Sequence, residues 1–217
     1  MLSIQTFTFN AFSENTYLVF DETKEAVIID PGCYSREEQQ NLSSSIGSQG
    51  LKIKFILNTH CHIDHVLGNS FVKDTYHVPL LLHKIEDAQL RAVKNYAPVY
   101  GFEGYRQAEP DQFIDENDTI TFGNTEWKIL FLPGHSPGHI GFYDRKEKVV
   151  FSGDVLFQNS IGRTDLPGGN HETLIHSIHQ SLFTLPDQVV VYCGHGPTTT
   201  IGQEKLSNPF CALRQLT

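Results

Sequence analysis

The segment THCHIDH, residues 59–65, concentrates side chains that can bind a metal ion. It follows the apolar run FIL, which predicts a buried strand that ends at the motif. His60 and His62 are two positions apart, so they point to the same side of an extended segment, while Cys61 points away. Two imidazoles on one side can share a metal ion, and their nitrogen atoms suit zinc, iron or manganese.

Further residues of the same chemical types complete the pattern. Asp64 and His65 lie where the chain turns after the histidine pair, and we expect them to face a second ion. His135, Asp154 and His195 each follow an apolar strand and are bordered by glycine, in LPGHSPGH, FSGD and YCGHG. Glycine allows the backbone to turn sharply and to approach a site closely. A lone histidine at a strand end is more often hydrogen-bonded than a ligand, so these residues are candidates only within the whole pattern.

The order of these motifs resembles the metallo-β-lactamase superfamily, whose signature HxHxDH is present here within THCHIDH. VIIDPG precedes this signature, and PGHSPGH, FSGD and GHGP follow it in the superfamily's order. The resemblance covers nearly the whole chain. It implies an α/β (α+β) fold, an αββα sandwich in which two mixed sheets pack face to face with helices outside.

The resemblance also implies a binuclear metal centre. One ion would bind His60, His62 and His135, the other would bind Asp64, His65 and His195, and Asp154 would bridge the two. Asp30, at the end of VIIDPG, would support the ligands. Zinc is favoured over iron or manganese. Two ions about 3.5 to 4 Å apart can share a hydroxide that attacks a carbonyl group, and Asp64 could also accept a proton.

Within the superfamily, the chain is similar to glyoxalase II (hydroxyacylglutathione hydrolase) and its short bacterial relatives, which cleave thioesters of glutathione such as S-lactoylglutathione. The segments DVLFQNSIGRTDLPGG, SLFTLPDQVVVYCGHGPTT and IGQEKLSNPF carry this likeness. Arg163 stands where glyoxalase II enzymes place a basic substrate contact, and its alternative role is an ion pair with Asp165. Asp154 replaces the cysteine of many true β-lactamases, which argues against antibiotic hydrolysis.

Two features depart from the glyoxalase II pattern. The sequence ends soon after NPF, so we expect the helical region that grips glutathione to be shortened or absent. Gly196 and Pro197 stand where a tyrosine often follows the last motif. These departures leave the predicted hydrolytic centre intact but leave recognition of glutathione open.

A persulfide dioxygenase of the same superfamily is the main alternative. It would bind one iron through His60 or a neighbour, His135 and Asp154, because a face of two histidines and one carboxylate favours Fe(II) and O₂ chemistry. GRTDLPGG differs from the GRTDFQQG of those enzymes. A lactonase and a non-catalytic binding module are further alternatives. Metal content separates the main possibilities: two ions for the hydrolase, one iron for the dioxygenase and none for the binding module.

The composition is that of a globular protein, which we expect to form a single domain over 1–217: 39% of residues are hydrophobic and 19% charged. The formal net charge of −9, without basic runs, argues against nucleic-acid and membrane partners. No apolar stretch approaches ~20 residues, and the first residues lack a signal-peptide pattern. We therefore predict a cytoplasmic protein. The resemblance implies a small-molecule thioester as its substrate, and the sequence leaves a monomer and a homodimer open. Free thiols are predicted for Cys33, Cys61, Cys193 and Cys211, whose spacing is not a disulfide framework.

Short apolar runs and turn residues predict the elements that position the candidate ligands. Strands are expected at SIQTFTF, TYLVF, EAVIID, KIKFILN, VPLLLH, TEWKILFL, IGFYD, KVVFSGD and QVVVYCGH, and helices at SREEQQNLSSSIGSQG, KIEDAQLRAV and HETLIHSIHQSLFTL. His176 and His179 are expected on the solvated face of the last helix. The segment 95–114 is either a lid or substrate wall, or a surface excursion held by its own aromatic residues.

Overall fold

The computed structural model describes residues 1–213. Within them the backbone clusters into two compact units. The first contains Met1–Ile114 and Ile120–Glu126, and the second contains Asp115–Thr119 and the chain from Trp127 onward. The single domain predicted over the whole chain includes 214–217, which lie outside the described residues, and it stays a prediction.

The first sheet is mixed. Its strands are β1 (Ser3–Phe9), β2 (Glu14–Phe20), β3 (Glu25–Ile29), β4 (Lys52–Leu57), β5 (Leu80–Leu82) and β6 (Gln112–Phe113), and they pair in that order. Strands β1 to β3 form an antiparallel meander, and β4, β5 and β6 are added in parallel. Residues of β2 and β3 are buried on both faces of the sheet, which agrees with the apolar runs YLVF and AVII within these strands.

The helices of the first unit are α1 (Arg36–Gln49), α2 (Ile63–Val66), α3 (Asn69–Tyr76) and α4 (Asp87–Tyr96). Helix α1 has clear signals at both ends. Ser35 and Glu38 form a reciprocal capping box, and Gly50 ends the helix in the left-handed conformation, with φ 63°. Leu42 and Ile46 bury the inner face of α1 in the core of this unit.

The second sheet is also mixed. Its strands are β7 (Thr119–Phe122), β8 (Thr125–Phe131), β9 (Ile140–Asp144), β10 (Val149–Gly153), β13 (Val190–Cys193) and β14 (Thr199–Thr200), in the order β14-β13-β10-β9-β8-β7. A separate hairpin joins β11 (Leu156–Phe157) to β12 (Ser160–Ile161). The predicted α/β class agrees with two mixed sheets and their helices. Several of the shortest strands were not predicted, because two to four residues are too few to show the alternation of apolar and polar residues typical of a strand.

The remaining helices are α5 (His171–Ser177) and α6 (Ile201–Ser207). The sequence predicted one long helix at α5, but the regular helix ends at Ser177 and continues as a π-helical turn, Ile178–Leu182. His176 is exposed as predicted. The prediction of a solvated face is wrong for His179, which is half-buried and contacts the Cys211 carbonyl oxygen at 2.8 Å. Within residues 1–213, no helix combines the length and the apolar composition needed to cross a bilayer.

The segment 95–114 is partly ordered by local structure. It contains a 3₁₀ turn, Ala97–Tyr100, and the short strand β6. The Phe102 ring is buried and packs edge-on against Tyr34, with 4.9 Å between centroids. Aromatic packing of the kind expected for a surface excursion is therefore present. A role as a lid or substrate wall stays a prediction.

All four cysteines are free and buried, and we expect them to be unreactive in the native protein. Burial raises the pKa of Cys193 and of Cys211 to about 12, and it also raises the pKa of Cys33 and Cys61. The thiolate is the reactive form. Titration with an aromatic disulfide reagent at pH 8 should therefore give no rapid reaction before denaturation and four equivalents after it. A rapid equivalent in the native protein would contradict this prediction.

Candidate metal centre

Strand β4 leads directly into the first group of candidate ligands. Its last residues and all of 58–66 are buried. The chain is extended at His62, with φ −67° and ψ 153°, and α2 begins after it. The ring centroids of His60 and His62 lie 4.8 Å apart, and those of His60 and His65 lie 4.1 Å apart. An extended segment followed by one helical turn therefore brings these ligands together in the first unit.

Asp30 orients two of these histidines. Its Oδ2 accepts a hydrogen bond from Thr59 Oγ1 at 2.6 Å and lies 3.1 Å from His65 Nδ1. A carboxylate only accepts, so neutral His65 carries its proton on Nδ1. The Thr59 hydroxyl donates to Asp30, so it accepts from His60 Nδ1 at 3.0 Å. Both imidazoles therefore present to the site the Nε2 lone pair that a metal ion binds.

The position of Asp30 is fixed from several directions. Its backbone has φ 47°, in the left-handed region, which costs a residue with a side chain about 1 to 2 kcal/mol. Its N–H donates to the Leu57 carbonyl oxygen at 2.9 Å, and its Oδ1 accepts from the Thr59 N–H at 2.7 Å. Strain of this kind is often found where a side chain must take a defined functional position. The contacts are of the supporting kind that the resemblance implied for Asp30.

Asp64 is the carboxylate of the first group of candidate ligands. Its Oδ2 lies 3.6 Å from His65 Nε2. This separation exceeds a hydrogen bond and is close to the roughly 3.3 Å between ligand atoms at two corners of a tetrahedron around zinc. Asn10 Nδ2 donates to the carbonyl oxygens of Asp64 and Gly32, at 3.0 and 3.1 Å, and so fixes the local backbone. The spacing therefore suits two ligands of one ion.

Glu14 is a residue near the site that the sequence analysis missed. It is fully buried at the start of β2, and its Oε1 lies 4.0 Å from His65 Nδ1. Its Oε2 accepts from Thr16 Oγ1 at 2.9 Å. Burial raises the pKa of Glu14 well above its usual value, and the nearby His65 acts in the opposite direction. A carboxylate opening the otherwise buried strand ENTYLVF was the available signal, since buried acids need partners.

Cys61 lies in the hydrophobic core of the first unit rather than among the ligands. We expect Cys61→Ala to keep activity within about twofold and to lose about 1 kcal/mol of stability, as for a small cavity. Its backbone N–H, which donates to Glu86 Oε2 at 2.8 Å, is unchanged by the substitution. Steady-state kinetics and thermal unfolding would test this. A large loss of kcat would show that the thiol acts in the site.

Asp154 connects the candidate ligands of the second unit. It follows β10 and Gly153, whose φ of 50° turns the chain at this point. Its Oδ2 lies 3.6 Å from His135 Nε2 and 3.4 Å from His195 Nε2. Both distances are again close to the separation of two ligands of one ion, roughly 3.3 Å for zinc. One carboxylate oxygen thus faces two imidazole nitrogens.

The neighbouring backbone orients His135. Its Nδ1 lies 2.8 Å from the Arg163 carbonyl oxygen. A carbonyl only accepts, so His135 donates from Nδ1 and presents the Nε2 lone pair to Asp154 and the site. Gly162 permits this arrangement, because a Cβ there would overlap the Asp154 carbonyl oxygen. His139, four residues after His135, accepts from the Asp154 N–H at 3.1 Å.

The Arg163 side chain forms an ion pair with Asp165, through two contacts of 2.7 Å. Hydrogen bonding from Arg163 lowers the pKa of Asp165 to about 2. Both side chains are exposed, at 61% and 68%. The alternative role considered from the sequence is therefore present. Contact between Arg163 and a substrate stays a prediction.

The described residues fit a divalent transition metal by their chemistry. The first unit contains His60, His62, Asp64 and His65, and the second contains His135, Asp154 and His195. Oriented imidazole nitrogens with a few carboxylate oxygens are typical donors for zinc, iron and manganese. Carboxylate and carbonyl partners on Nδ1 are the usual way in which proteins fix such histidines.

Comparison with known proteins gives matches over most of the chain. The family model described as the metallo-beta-lactamase superfamily matches residues 10–195. Hydroxyacylglutathione hydrolase GloC of Haemophilus influenzae is 41% identical over 211 residues, which cover 96% of this chain and 98% of that protein. The similarity to GloC therefore extends over nearly the full length of both proteins.

Solved structures give the same family. BLEG-1 B3 metallo-beta-lactamase is 39% identical, with a TM-score of 0.87 and coverage of 97% of this chain and 99% of that chain. TTHA1623, solved in a di-iron-bound form, is 36% identical, with a TM-score of 0.85 and coverage of 95% and 99%. The predicted fold is confirmed, and the chain belongs to the metallo-beta-lactamase superfamily.

Proposed function

We propose that this protein is a metal-dependent hydrolase that cleaves thioesters, with S-lactoylglutathione or a related hydroxyacyl thioester as substrate. The observation that carries the proposal is the position of Asp154 Oδ2, 3.6 Å from His135 Nε2 and 3.4 Å from His195 Nε2. A carboxylate between two imidazoles is suited to bridging two ions. The similarity to GloC, named as a hydroxyacylglutathione hydrolase, supports the thioester class.

The proposed centre holds two divalent ions. His60, His62 and His135 would bind one, Asp64, His65 and His195 would bind the other, and Asp154 would bind both. Zinc is our first choice, with manganese as an alternative, and the di-iron form of TTHA1623 makes iron a second candidate. When bound, two such ions polarise a carbonyl group and lower the pKa of a water molecule towards neutrality.

The chain's own residues would have three tasks in this reaction: to orient the imidazoles, to accept a proton and to exclude bulk water. Asp30 and the Arg163 carbonyl hold imidazoles with their Nε2 atoms towards the site. Asp64, besides being a ligand, would accept on its carboxylate the proton that the attacking water loses. The burial of Asp64, which is 8% exposed, would keep bulk water from competing for that position.

Arg163 is our candidate for binding a carboxylate of the substrate. Its pair with Asp165 is exposed, and exposed ion pairs contribute only about 0 to 1 kcal/mol. The guanidinium can therefore exchange Asp165 for a substrate carboxylate at little cost. An anionic substrate is compatible with the acidic chain because two dications exceed the charge of the two ligand carboxylates.

We further propose that the protein acts in the cytoplasm, as a monomer or homodimer, without a nucleic-acid or membrane partner. The formal net charge of −9 supports the absence of such partners, because nucleic acids and anionic membranes attract basic surfaces. Light scattering of the purified protein would give the oligomeric state.

Elemental analysis together with hydrolysis of S-lactoylglutathione tests the proposed function. We expect close to two ions per chain, and thioester cleavage that is lost after chelation and restored by zinc, iron or manganese. The amount of free thiol released measures thioester cleavage directly. Metal-loaded protein that cleaves no hydroxyacyl thioester would overturn the thioesterase proposal.

The same preparations separate the alternatives. The similarity to BLEG-1 favours β-lactam hydrolysis as a second candidate, although Asp154 led us to expect none. A chromogenic cephalosporin would detect it, and a homoserine lactone would detect a lactonase. A single iron per chain, with oxygen consumption on addition of glutathione persulfide, would instead indicate the dioxygenase.

A further inference from the structure

The β11–β12 hairpin lies beside two candidate ligands of the second unit. The Phe157 ring, in β11, is 6.3 Å from the His195 ring between centroids. Just after β12, the Gly162 N–H donates to the Val155 carbonyl oxygen at 3.2 Å. The next carbonyl, that of Arg163, accepts the hydrogen bond from His135. The position of this hairpin therefore determines the surroundings of both imidazoles.

A buried carboxylate from helix α6 holds the tip of the hairpin. Glu204 is fully buried, and its Oε2 accepts from the Asn159 N–H at 2.9 Å. Asn159 has φ 56°, in the left-handed region that asparagine adopts more readily than most residues, and its contact with Glu204 helps to hold the tip in this conformation. Asn208 Nδ2 donates both to Glu204 Oε2, at 2.7 Å, and to the Ser160 carbonyl oxygen, at 3.0 Å. Thr199 Oγ1 donates to the second oxygen, Glu204 Oε1.

We propose that Glu204 is a positioning residue for the metal centre and acts on His135 and His195 through the β11–β12 hairpin. The inference rests on the metal centre proposed above. Glu204 touches no ligand itself. It fixes the tip of the hairpin, and the other end of the hairpin is fixed by the Gly162 to Val155 hydrogen bond and by close packing of Gly162 on Asp154. A hairpin held at both ends keeps the Arg163 carbonyl at a constant place relative to His135.

The Glu204 carboxylate is the common hydrogen-bond acceptor of this network. Removing it takes an acceptor from three donors: the buried Thr199 hydroxyl, the buried Asn208 amide, and the N–H of the exposed Asn159. The buried donors are costly when unpaired, and the Asn159 N–H can bond to water once the carboxylate is gone, so we expect the tip to leave its position. A glutamine keeps an oxygen for Asn159 and Asn208, and its NH₂ group can donate to the Thr199 hydroxyl, which can rotate to accept. Glutamine should therefore preserve the position of the hairpin.

Metal affinity measured by competition with a chelator tests this role. We expect Glu204→Ala to weaken binding of at least one zinc ion by about 10 to 100-fold, the usual effect of losing a group that orients a ligand. Glu204→Gln should stay within about threefold of the unchanged protein. Asn208→Ala removes the link from Glu204 to Ser160 and also the acceptor of the Phe210 N–H. It should give an intermediate loss of metal affinity and remains informative if Glu204→Ala does not fold.

Lys205→Ala is the matched control. Lys205 is on the same helix and anchors it elsewhere, through Asp187 at 2.6 Å and the Leu185 carbonyl oxygen at 3.1 Å. This variant should lower the unfolding temperature without changing metal affinity. If Glu204→Ala lowers only the unfolding temperature, as Lys205→Ala does, Glu204 is merely structural and the inference is wrong.

A second measurement, on metal-free protein, is independent of the proposed function. Nitrogen-15 NMR of the histidine rings reports whether His135 donates from Nδ1. We expect this signal to be retained in Glu204→Gln and Lys205→Ala and to shift or broaden in Glu204→Ala. A protein that binds metal but cleaves no thioester would refute the thioesterase and leave this inference standing. An unchanged His135 signal in Glu204→Ala would refute the inference itself.

Discussion

We expect Asp154→Ala to lower kcat/KM for thioester cleavage by at least about 10³-fold, the largest effect of any substitution considered. The Asp154 carboxylate lies close to both His135 and His195, at 3.6 and 3.4 Å from their Nε2 atoms. Removing it would take a ligand from both proposed ions at once. It would also remove the negative charge that offsets the positive charge of the two ions. Metal content should fall below two ions per chain in the same preparation.

The control for this substitution is an exposed aspartate of the same unit. Asp118→Ala removes a surface carboxylate that accepts from the Asp115 N–H at 2.9 Å. It should leave metal content and kcat/KM close to those of the unchanged protein. Asp154→Ala should also fold without metal, because it deletes a buried charge rather than a packed apolar group. Full activity in well-folded Asp154→Ala would rule out the bridging role.

The second large effect is expected for Asp30→Asn, which changes the hydrogen-bond polarity of the site with almost no change in shape. Asp30 Oδ2 accepts from both Thr59 Oγ1 and His65 Nδ1. An amide NH₂ in that place would donate, so His65 would have to accept at Nδ1 and carry its proton on Nε2, where the metal binds. We expect about 10 to 100-fold weaker metal binding, with a corresponding loss of turnover.

The matched control is Asp144→Asn, another buried aspartate changed to its amide. Asp144 Oδ2 accepts from Trp127 Nε1 at 3.1 Å, and its Oδ1 accepts from the Glu147 N–H. This variant should lose stability, and the environment of the single tryptophan should change in fluorescence, while metal affinity is kept. Ring nitrogen shifts of His65 would report its tautomer directly. Unchanged shifts and affinity in Asp30→Asn would show that Asp30 does not set the protonation of His65.

The sequence predicted correctly those features that depend on one local segment alone. Short apolar runs predicted β1 and β8, and the serine and the glycine at the two ends of SREEQQNLSSSIGSQG predicted both ends of α1. THCHIDH was sufficient to predict a metal-binding segment, because the distances between neighbouring positions are set by backbone geometry alone. The combined order of the motifs was sufficient for the family, which the comparisons confirm.

Local sequence patterns did not predict features that depend on contacts between residues distant in the sequence. The hairpin tip at Asn159, the π-helical turn after Ser177 and the half-buried His179 have no distinctive local sequence. Glu14 was missed although it opens a strand, because its partner His65 is remote in sequence and the carboxylate alone does not show which residue it meets. Propensity and periodicity describe a residue's own segment and contain no information on such partners.

The sequence by itself thus determined the family and the types of the candidate ligands, because these depend on which residues are present and in what order. Only the tertiary structure decided which nitrogen of each imidazole faces the site. That choice depends on partners far away in the chain: Asp30 for His65, and the Arg163 carbonyl for His135. Those partners meet their histidines only when strands and loops have packed, because packing alone brings distant donors and acceptors within hydrogen-bonding distance.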